Sequence, residues 1–357
     1  MGAFKDEPVN VALLGYGYAG KTFHAPLISA VDGLNLTKVV SSDSEKVLKD
    51  FPTATVTKSH DDAFSDDSID LVVIATPNDT HFDLAKRALN AGKHVVVDKP
   101  FTTTADEAKE LIKLADKQNK VLSVFHNRRW DADFLTIEKL LEKKTLGEVM
   151  HFESHFDRYR PEVRQRWREQ AGAGTGIWFD LGSHLLDQVL QLFGEPDSIQ
   201  ADLEQQRDDA NAVDYFHTIL RYGKRRVILH GSALVAAESP RFVLHGKLGS
   251  YIKYGLDTQE DSLKNGDKVN AEKWGVDTRN GALTTYRNDE PQTSEVVTER
   301  GNYSTYYEGV RDAIRLNSPN PVTAHDALLV MELLELGAAS SASGRAISYM
   351  PELNKTN

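Results

Sequence analysis

Cysteine is absent from the 357 residues. That absence removes disulfides, thiolate metal ligands, iron–sulfur clusters and cysteine nucleophiles together, so demanding chemistry has to come from other side chains or a bound group. Long apolar runs are also missing. No stretch approaches the ~20 residues needed to span a bilayer, and the first eight residues, Met1 to Pro8, are charged and short of apolar side chains. A cytoplasmic location without membrane attachment is the expectation. Positive charge is the scarcer sign: 42 Lys and Arg stand against 53 Asp and Glu, a net charge of −11. This balance speaks against a surface built for polyanionic nucleic acid and for a small ligand held by local chemistry. Neither internal repeats nor a low-complexity linker is present.

A chain of this length exceeds what one hydrophobic core usually serves, which predicts two domains. In the first third, short apolar runs alternate with helical patterns: Val9 to Leu14, Leu36 to Val40, Leu71 to Ala75, His94 to Val97 and Val121 to Phe125. Strands alternating with helices predict an α/β Rossmann domain over 1–125, a doubly wound parallel sheet. Thr104 with Glu107 reads as a capping box, Thr80 with Asp83 as a weaker version, and Gly92 as a helix stop.

From about Met150 the rhythm changes to hairpin-like strand patterns at Met150 to Phe156, Val213 to Tyr222, Val227 to Val235, Arg241 to Gly246 and Tyr251 to Tyr254. Helical spacing recurs at Trp130 to Leu141, Gly176 to Phe193 and Ala324 to Ser341. The prediction for 126–357 is an α+β domain with a large, mostly antiparallel, open-faced sheet. The polar stretch Asp257 to Thr298, with turn signals Asn265-Gly266 and Asn280-Gly281, reads as long surface loops.

The run Gly15-Tyr16-Gly17-Tyr18-Ala19-Gly20 follows an apolar strand directly and opens a helical stretch from Gly20 to Ala30. A bare G-x-G-x-x-G is weak, but strand-turn-helix is the setting in which it seats a dinucleotide pyrophosphate. Gly15 permits the turn, Gly17 lets backbone amides approach the phosphates, and Gly20 lets helix pack on strand.

Ligands of such sheets bind past the carboxyl ends of the strands. The residues there are Gly15 to Gly20, Ser41-Ser42, Thr76-Pro77-Asn78, Asp98-Lys99-Pro100 and His126-Asn127-Arg128; as a set they also fit ordinary loop formers. An acid after the second strand selects NAD by binding the ribose hydroxyl. Ser41 and Ser42 stand there instead, with Lys46 nearby, which favours the 2′-phosphate of NADP; Asp43 and the lack of an arginine keep NAD open.

Oxidation of a secondary alcohol needs a base for the hydroxyl proton. Lys99, at a strand's carboxyl end, is the candidate, because burial beside a cationic nicotinamide lowers a lysine pKa. The alternative is a surface lysine before a turn proline. Asp180 and His184 lie one helical turn apart, with Asp187 on the same side. That spacing fits a functional face and equally a helix cap with a satisfied histidine. No third ligand stands at diagnostic spacing, so no metal is expected there.

Gly172 to Gly176 is either a closing segment or a loop. The locally basic Arg158, Tyr159, Arg160, Arg164, Trp167 and Arg168 suit hydroxyls or anions, although a solvated face is the commoner origin of such a cluster.

Together, the glycine turn, Asp98-Lys99-Pro100 and Asp180 to Asp187 resemble the Gfo/Idh/MocA family over nearly the whole chain. Within it, Thr22-Phe23-His24-Ala25-Pro26, His126-Asn127-Arg128-Arg129-Trp130 and Tyr159-Arg160-Pro161 look most like NADP-dependent scyllo-inositol dehydrogenases. The resemblance implies Lys99 as catalytic lysine, Asp180 ordering the site and His184 acting on the substrate hydroxyl. It implies nicotinamide-side contacts from Thr76, Asn78 and His81, and dimers or tetramers formed through the open face of the second sheet. Asp98 departs from the family's usual glutamate.

The expectation is an NAD(P)-dependent dehydrogenase, NADP preferred, for a cyclic polyol or sugar. Tyr16, Tyr18, Ala19, Pro77 and Asp98 complete its cofactor contacts, and Asn127, Arg128, Tyr159 and Trp167 join Asp180 and His184 around substrate. The rivals are a non-catalytic cofactor sensor and an enzyme using a tightly held cofactor for hydrolysis or epimerisation.

Overall fold

The computed structural model describes residues 8–164 and 169–350. It opens with β1 (Val9–Leu14), α1 (Ala25–Ala30), β2 (Leu34–Val40), α2 (Ser44–Asp50), β3 (Thr55–Thr57), α3 (Asp61–Phe64) and β4 (Leu71–Ile74). There follow α4 (His81–Asn90), β5 (His94–Val97), α5 (Ala105–Gln118) and β6 (Leu122–Val124). The six strands form one sheet in the order β3-β2-β1-β4-β5-β6, every pair parallel. Strand order reverses between β1 and β4, the switch point where such sheets bind nucleotides.

Strands β4 and β5 are apolar on both faces because helices cover both, and β4 is buried throughout. The Thr104 capping box is present in both directions at the start of α5, an arrangement worth about 1 kcal/mol. Thr80 does not cap α4; its hydroxyl donates to the Pro77 carbonyl at 2.7 Å.

The chain continues through α6 (Ala132–Glu142), β7 (Val149–His155), α7 (Ser183–Phe193), β8 (Ser198–Glu204), β9 (Tyr215–Tyr222), β10 (Arg225–Ser232), β11 (Pro240–Gly246) and β12 (Gly249–Tyr254). Last come α8 (Gln259–Asn265), β13 (Gly281–Arg287), β14 (Glu290–Val296), α9 (Ser304–Leu316), α10 (Ala324–Ser343) and β15 (Ile347–Ser348). The second sheet runs β14-β13-β12-β11-β7-β10-β9-β8-β15, antiparallel except for β7 with β10. Burial alternates along β9 and β10: Phe216, Thr218, Leu220, Val227 and Leu229 are inside, while His217, Ile219, Ile228 and His230 are half-exposed on the other face.

The polar stretch 257–298 is not loop: it contains α8 and the β13–β14 hairpin. The hairpin turns on Asn288 and Asp289, both at positive φ, the geometry that a two-residue hairpin turn demands. Most of its side chains are exposed, so it carries little of the apolar alternation that marks a strand.

The chain forms two compact units, one up to Asp131 with Thr258–Gly275 and Asn302–Leu328, the other Ala132–Asp257 with Val276–Gly301 and the chain from Leu329. The boundary expected at 125/126 is therefore displaced, and two later segments return to the first unit. Polar contacts within that unit hold them: Gln259 Nε2 donates to the Trp130 carbonyl, and Tyr303 Oη donates to Asp131 at 2.6 Å. Among the described residues, no helix is long and apolar enough to cross a membrane.

Candidate functional site

In the first unit, the turn after β1 is shaped by two glycines that accept no side chain. A Cβ on Gly15, at φ +94°, would sit 2.6 Å from the Ala75 carbonyl oxygen, and one on Gly20 would sit 2.0 Å from the Gly15 carbonyl oxygen. Gly17 differs, because a Cβ there would meet nothing within 4 Å. The first and third glycines thus serve packing, and the second faces open space, as approach by a phosphate requires. Beyond the turn, Gly20–His24 is a π-helical turn that runs into α1.

Tyr16 is buried, and its hydroxyl donates to Asp50 at 2.9 Å. Burial and that carboxylate raise the phenol pKa, while Lys21 and Tyr16 hold Asp50 below the usual carboxylate range against its own desolvation. Tyr18 is half-exposed and donates to Glu260.

At the end of β2, Ser42 is exposed and Ser41 exchanges contacts with the Asp43 backbone. The Asp43 carboxylate caps α2, accepting from Lys46 N at 3.0 Å. The acid nearest this strand end in sequence is thereby occupied by a helix. Lys46 Nζ donates to the Tyr16 carbonyl at 3.2 Å, which uses one of its three donors beside the turn.

Behind β4 and β5, the Thr76 hydroxyl meets that of Thr80 at 2.6 Å, Pro77 is exposed and Asn78 is buried. His81 is fully buried, with Nδ1 2.9 Å from the Pro100 carbonyl and Nε2 3.0 Å from the Thr76 carbonyl. Both nitrogens face main chain, so His81 braces the Thr76 and Pro100 loops from below and offers no ring nitrogen to a cofactor. Burial pushes its pKa below the ordinary value, and a neutral ring can donate to only one of the two carbonyls.

Lys99 is half-exposed and precedes a cis peptide to Pro100. Asp98 is buried and turns inward, accepting from Lys99 N at 2.9 Å with His24 Nε2 at 3.6 Å. It supports the Lys99 segment where a direct cofactor contact was expected. His24 is fully buried, tilted against Phe125 at 4.4 Å, and its Nδ1 lies 2.5 Å from Tyr307 Oη. Burial, with Tyr306 and Asp98 adding, raises the Tyr307 pKa well above its ordinary value, so the phenol is the protonated partner. The Tyr307–His24–Asp98 chain has no signature in the sequence, although His24 stands within the run Thr22 to Pro26. Tyr307 lies 283 residues from His24 and carries no local signal.

Arg128, expected to contact substrate, is buried with Asn127; its guanidinium donates to Glu260 at 2.7 Å and to Asp131 at 3.3 Å. Glu260 also meets Lys264 at 3.0 Å. Burial works against its ionisation, but Arg128, Lys264 and Tyr18 hold the carboxyl at about 2. Glu260 thus gathers the glycine turn, the 127–131 turn and α8, a role invisible in a stretch read as loop.

In the second unit, Asp180 lies in a π-helical turn, Trp178–Gly182, that runs into α7 with His184 and Asp187. The π turn is locked by Trp178, whose indole donates to the Leu334 carbonyl at 3.0 Å and whose ring would stand 2.7 Å from a Cβ on Gly182. Asp180 is half-exposed, whereas His184 and Asp187 are buried. Single π turns recur at functional sites because they re-aim a side chain within a helix.

Tyr159 is 62% exposed and forms an isolated bridge with Leu234. Arg207 ties its loop by donating to the Arg160 and Glu162 carbonyls and to Glu169 and Asp214. Trp167 and Arg168 lie outside the described residues. Gly176, at φ +80°, is pressed against Val213, where a Cβ would stand 2.8 Å from the carbonyl oxygen, so that end of the glycine run is a fixed turn.

Residues 9–126 match the Gfo/Idh/MocA model described as the oxidoreductase family's NAD-binding Rossmann fold, and 138–349 match the same family's C-terminal alpha/beta domain. The oxidoreductase YdgJ of Escherichia coli is 57% identical over 335 residues, 94% of this chain and 97% of its own. The NADP(+)-dependent scyllo-inositol 2-dehydrogenase IolW of Bacillus subtilis is 42% identical over 97% of both chains. YPO2259 of Yersinia pestis superposes with a TM-score of 0.94 at 53% identity, over 98% of this chain and 99% of that one. By its two matched domains and these full-length likenesses, the chain belongs to the Gfo/Idh/MocA family of NAD(P)-dependent oxidoreductases.

Proposed function

We propose that this oxidoreductase oxidises a secondary hydroxyl of a cyclic polyol or sugar of the inositol type, with NADP preferred over NAD. The observation that carries the reading is the 42% identity to IolW over 97% of both chains. A bound nicotinamide supplies the acceptor for the hydrogen leaving carbon. Lys99 takes the hydroxyl proton, Asp180 orients the groups around it, and His184 hydrogen-bonds the reacting hydroxyl.

The NADP preference rests on Ser41 and Ser42 at the end of β2, on Lys46 beside the turn, and on Asp43 serving as a helix cap. Gly17, Thr76 and Asn78 join these as cofactor contacts. Tyr159 is proposed at the substrate, and the chain is proposed to work as a homodimer or homotetramer.

The test is a panel of inositol isomers and aldoses offered with NAD and NADP separately, read by reduced-nicotinamide absorbance. Lys99→Met should lower turnover by on the order of 10²- to 10⁴-fold while cofactor binding persists. Near-normal turnover would overturn the role of Lys99. Tight cofactor binding with no reduction on any substrate would favour a sensor, and cofactor co-eluting through gel filtration would favour hydrolysis or epimerisation.

A further inference from the structure

The partly exposed face of the second sheet carries a cluster that the oxidoreductase reaction does not use. Register places His155 of β7 beside His230 of β10, and His230 directly across from His217 of β9. Laterally paired residues share a face, so the three imidazoles stand in one row. Just past the end of β7, Asp157 turns its carboxylate into this row. His155 Nδ1 lies 3.6 Å from Asp157 Oδ2, and His230 Nε2 lies 3.4 Å from Asp157 Oδ1.

We propose that His155, Asp157 and His230 bind a divalent first-row transition ion of the zinc type. One ligand atom from each lies within 4.8 Å of the others. Bonds of about 2.0–2.1 Å to a tetrahedral zinc set donor atoms roughly 3.3 Å apart, and the two measured separations, one to each oxygen of the Asp157 carboxylate, lie close to that value. Two imidazoles with one carboxylate suit such an ion and leave a coordination position open, with His217 next in the row.

The surroundings have the form of an outer shell. His155 presents Nδ1 to the site while its Nε2 lies 2.9 Å from Glu153 Oε2, the carboxylate–histidine arrangement that fixes tautomer and ring orientation in metal ligands. Ser239 Oγ donates to Asp157 Oδ2 at 2.5 Å and fixes that carboxylate. Asp157 Oδ1 is buried and makes no hydrogen bond among the described residues. A buried carboxylate oxygen left so costs free energy, which a cation would offset.

The experiment uses the full-length chain, stripped with a chelator and titrated with Co²⁺ and then Zn²⁺, followed by calorimetry and by the visible absorption of bound Co²⁺. One ion per chain is expected, with the Co²⁺ spectrum displaced by Zn²⁺. The double variant His155→Gln/His230→Gln should lose that spectrum, and Glu153→Gln, which keeps all three ligands, should weaken binding roughly 10- to 100-fold. Circular dichroism checks that each variant is folded, and Asp157→Asn serves if the double variant is not. No ion taken up at millimolar metal, or uptake unchanged in the folded ligand variants, would overturn the proposal.

Discussion

The hydroxyl of Tyr307 lies 2.5 Å from Nδ1 of His24, and both groups are fully buried. Through His24 Nε2 the contact reaches Asp98, whose carboxylate accepts from the backbone nitrogen of Lys99. Tyr307→Phe removes the hydroxyl and keeps the ring, leaving a buried imidazole nitrogen without its partner. The expected loss is about 1–3 kcal/mol in urea unfolding, with a lower turnover number and little change in cofactor affinity, because the effect reaches Lys99 through Asp98.

The glycine turn separates packing from binding. Gly20→Ala drives a Cβ to within 2.0 Å of the Gly15 carbonyl oxygen and should cost about 3 kcal/mol of stability. Gly17→Ala meets nothing within 4 Å and should unfold within about 0.5 kcal/mol of the native chain. The same change should weaken cofactor binding on the order of tenfold, about 1.4 kcal/mol, since the methyl occupies space reserved for phosphate. Thermal unfolding and cofactor titration by fluorescence check the pair.

Glu260 gives the first unit an acid-sensitive point. Its carboxyl lies at about 2 in the folded protein against an ordinary value of 4.5, so its contribution is present above pH 4.5 and is lost as pH falls toward 2. At 1.36 kcal/mol per pH unit of displacement, the contribution is at most about 3 kcal/mol, reduced by its partial exposure. Comparing native and Glu260→Gln chains in urea from pH 7 to pH 3 should show a stability gap that narrows as the pH drops.

Lys253 and Asp277 form a fully buried ion pair at 2.8 Å, and the same ammonium donates to the Tyr254 carbonyl. Lys253→Met fills similar volume but leaves the buried Asp277 carboxylate with Arg279 alone, and should cost on the order of 3 kcal/mol. Lys253→Met/Asp277→Leu should recover most of that loss. Denaturant midpoints of the two variants decide it.

Much of the fold is legible in local pattern. The run Val9 to Leu14 and the run His94 to Val97 are strands with those ends, because a strand buried on both faces is largely apolar, with Asn10 and His94 the half-buried exceptions near their starts. Thr104 with Glu107 makes the capping box its spacing predicts. The β13–β14 hairpin is not legible in the sequence because an exposed strand carries polar residues on both faces. Strand β3 is only Thr55–Thr57, too short for a pattern.

The sequence by itself determined the glycine turn, the strand-helix alternation, the place of Lys99 just past a strand and the one-turn spacing of Asp180 and His184, since each depends on neighbours within a few residues. Tertiary structure alone decided that Arg128 is committed to Glu260 across 132 residues of chain, that His24 stands between Tyr307 and Asp98, and that His155, His230 and His217 share a row. Hydrophobic period and turn chemistry are written along the chain. Which distant polar groups meet is set by strand order and register, and no local spacing records that.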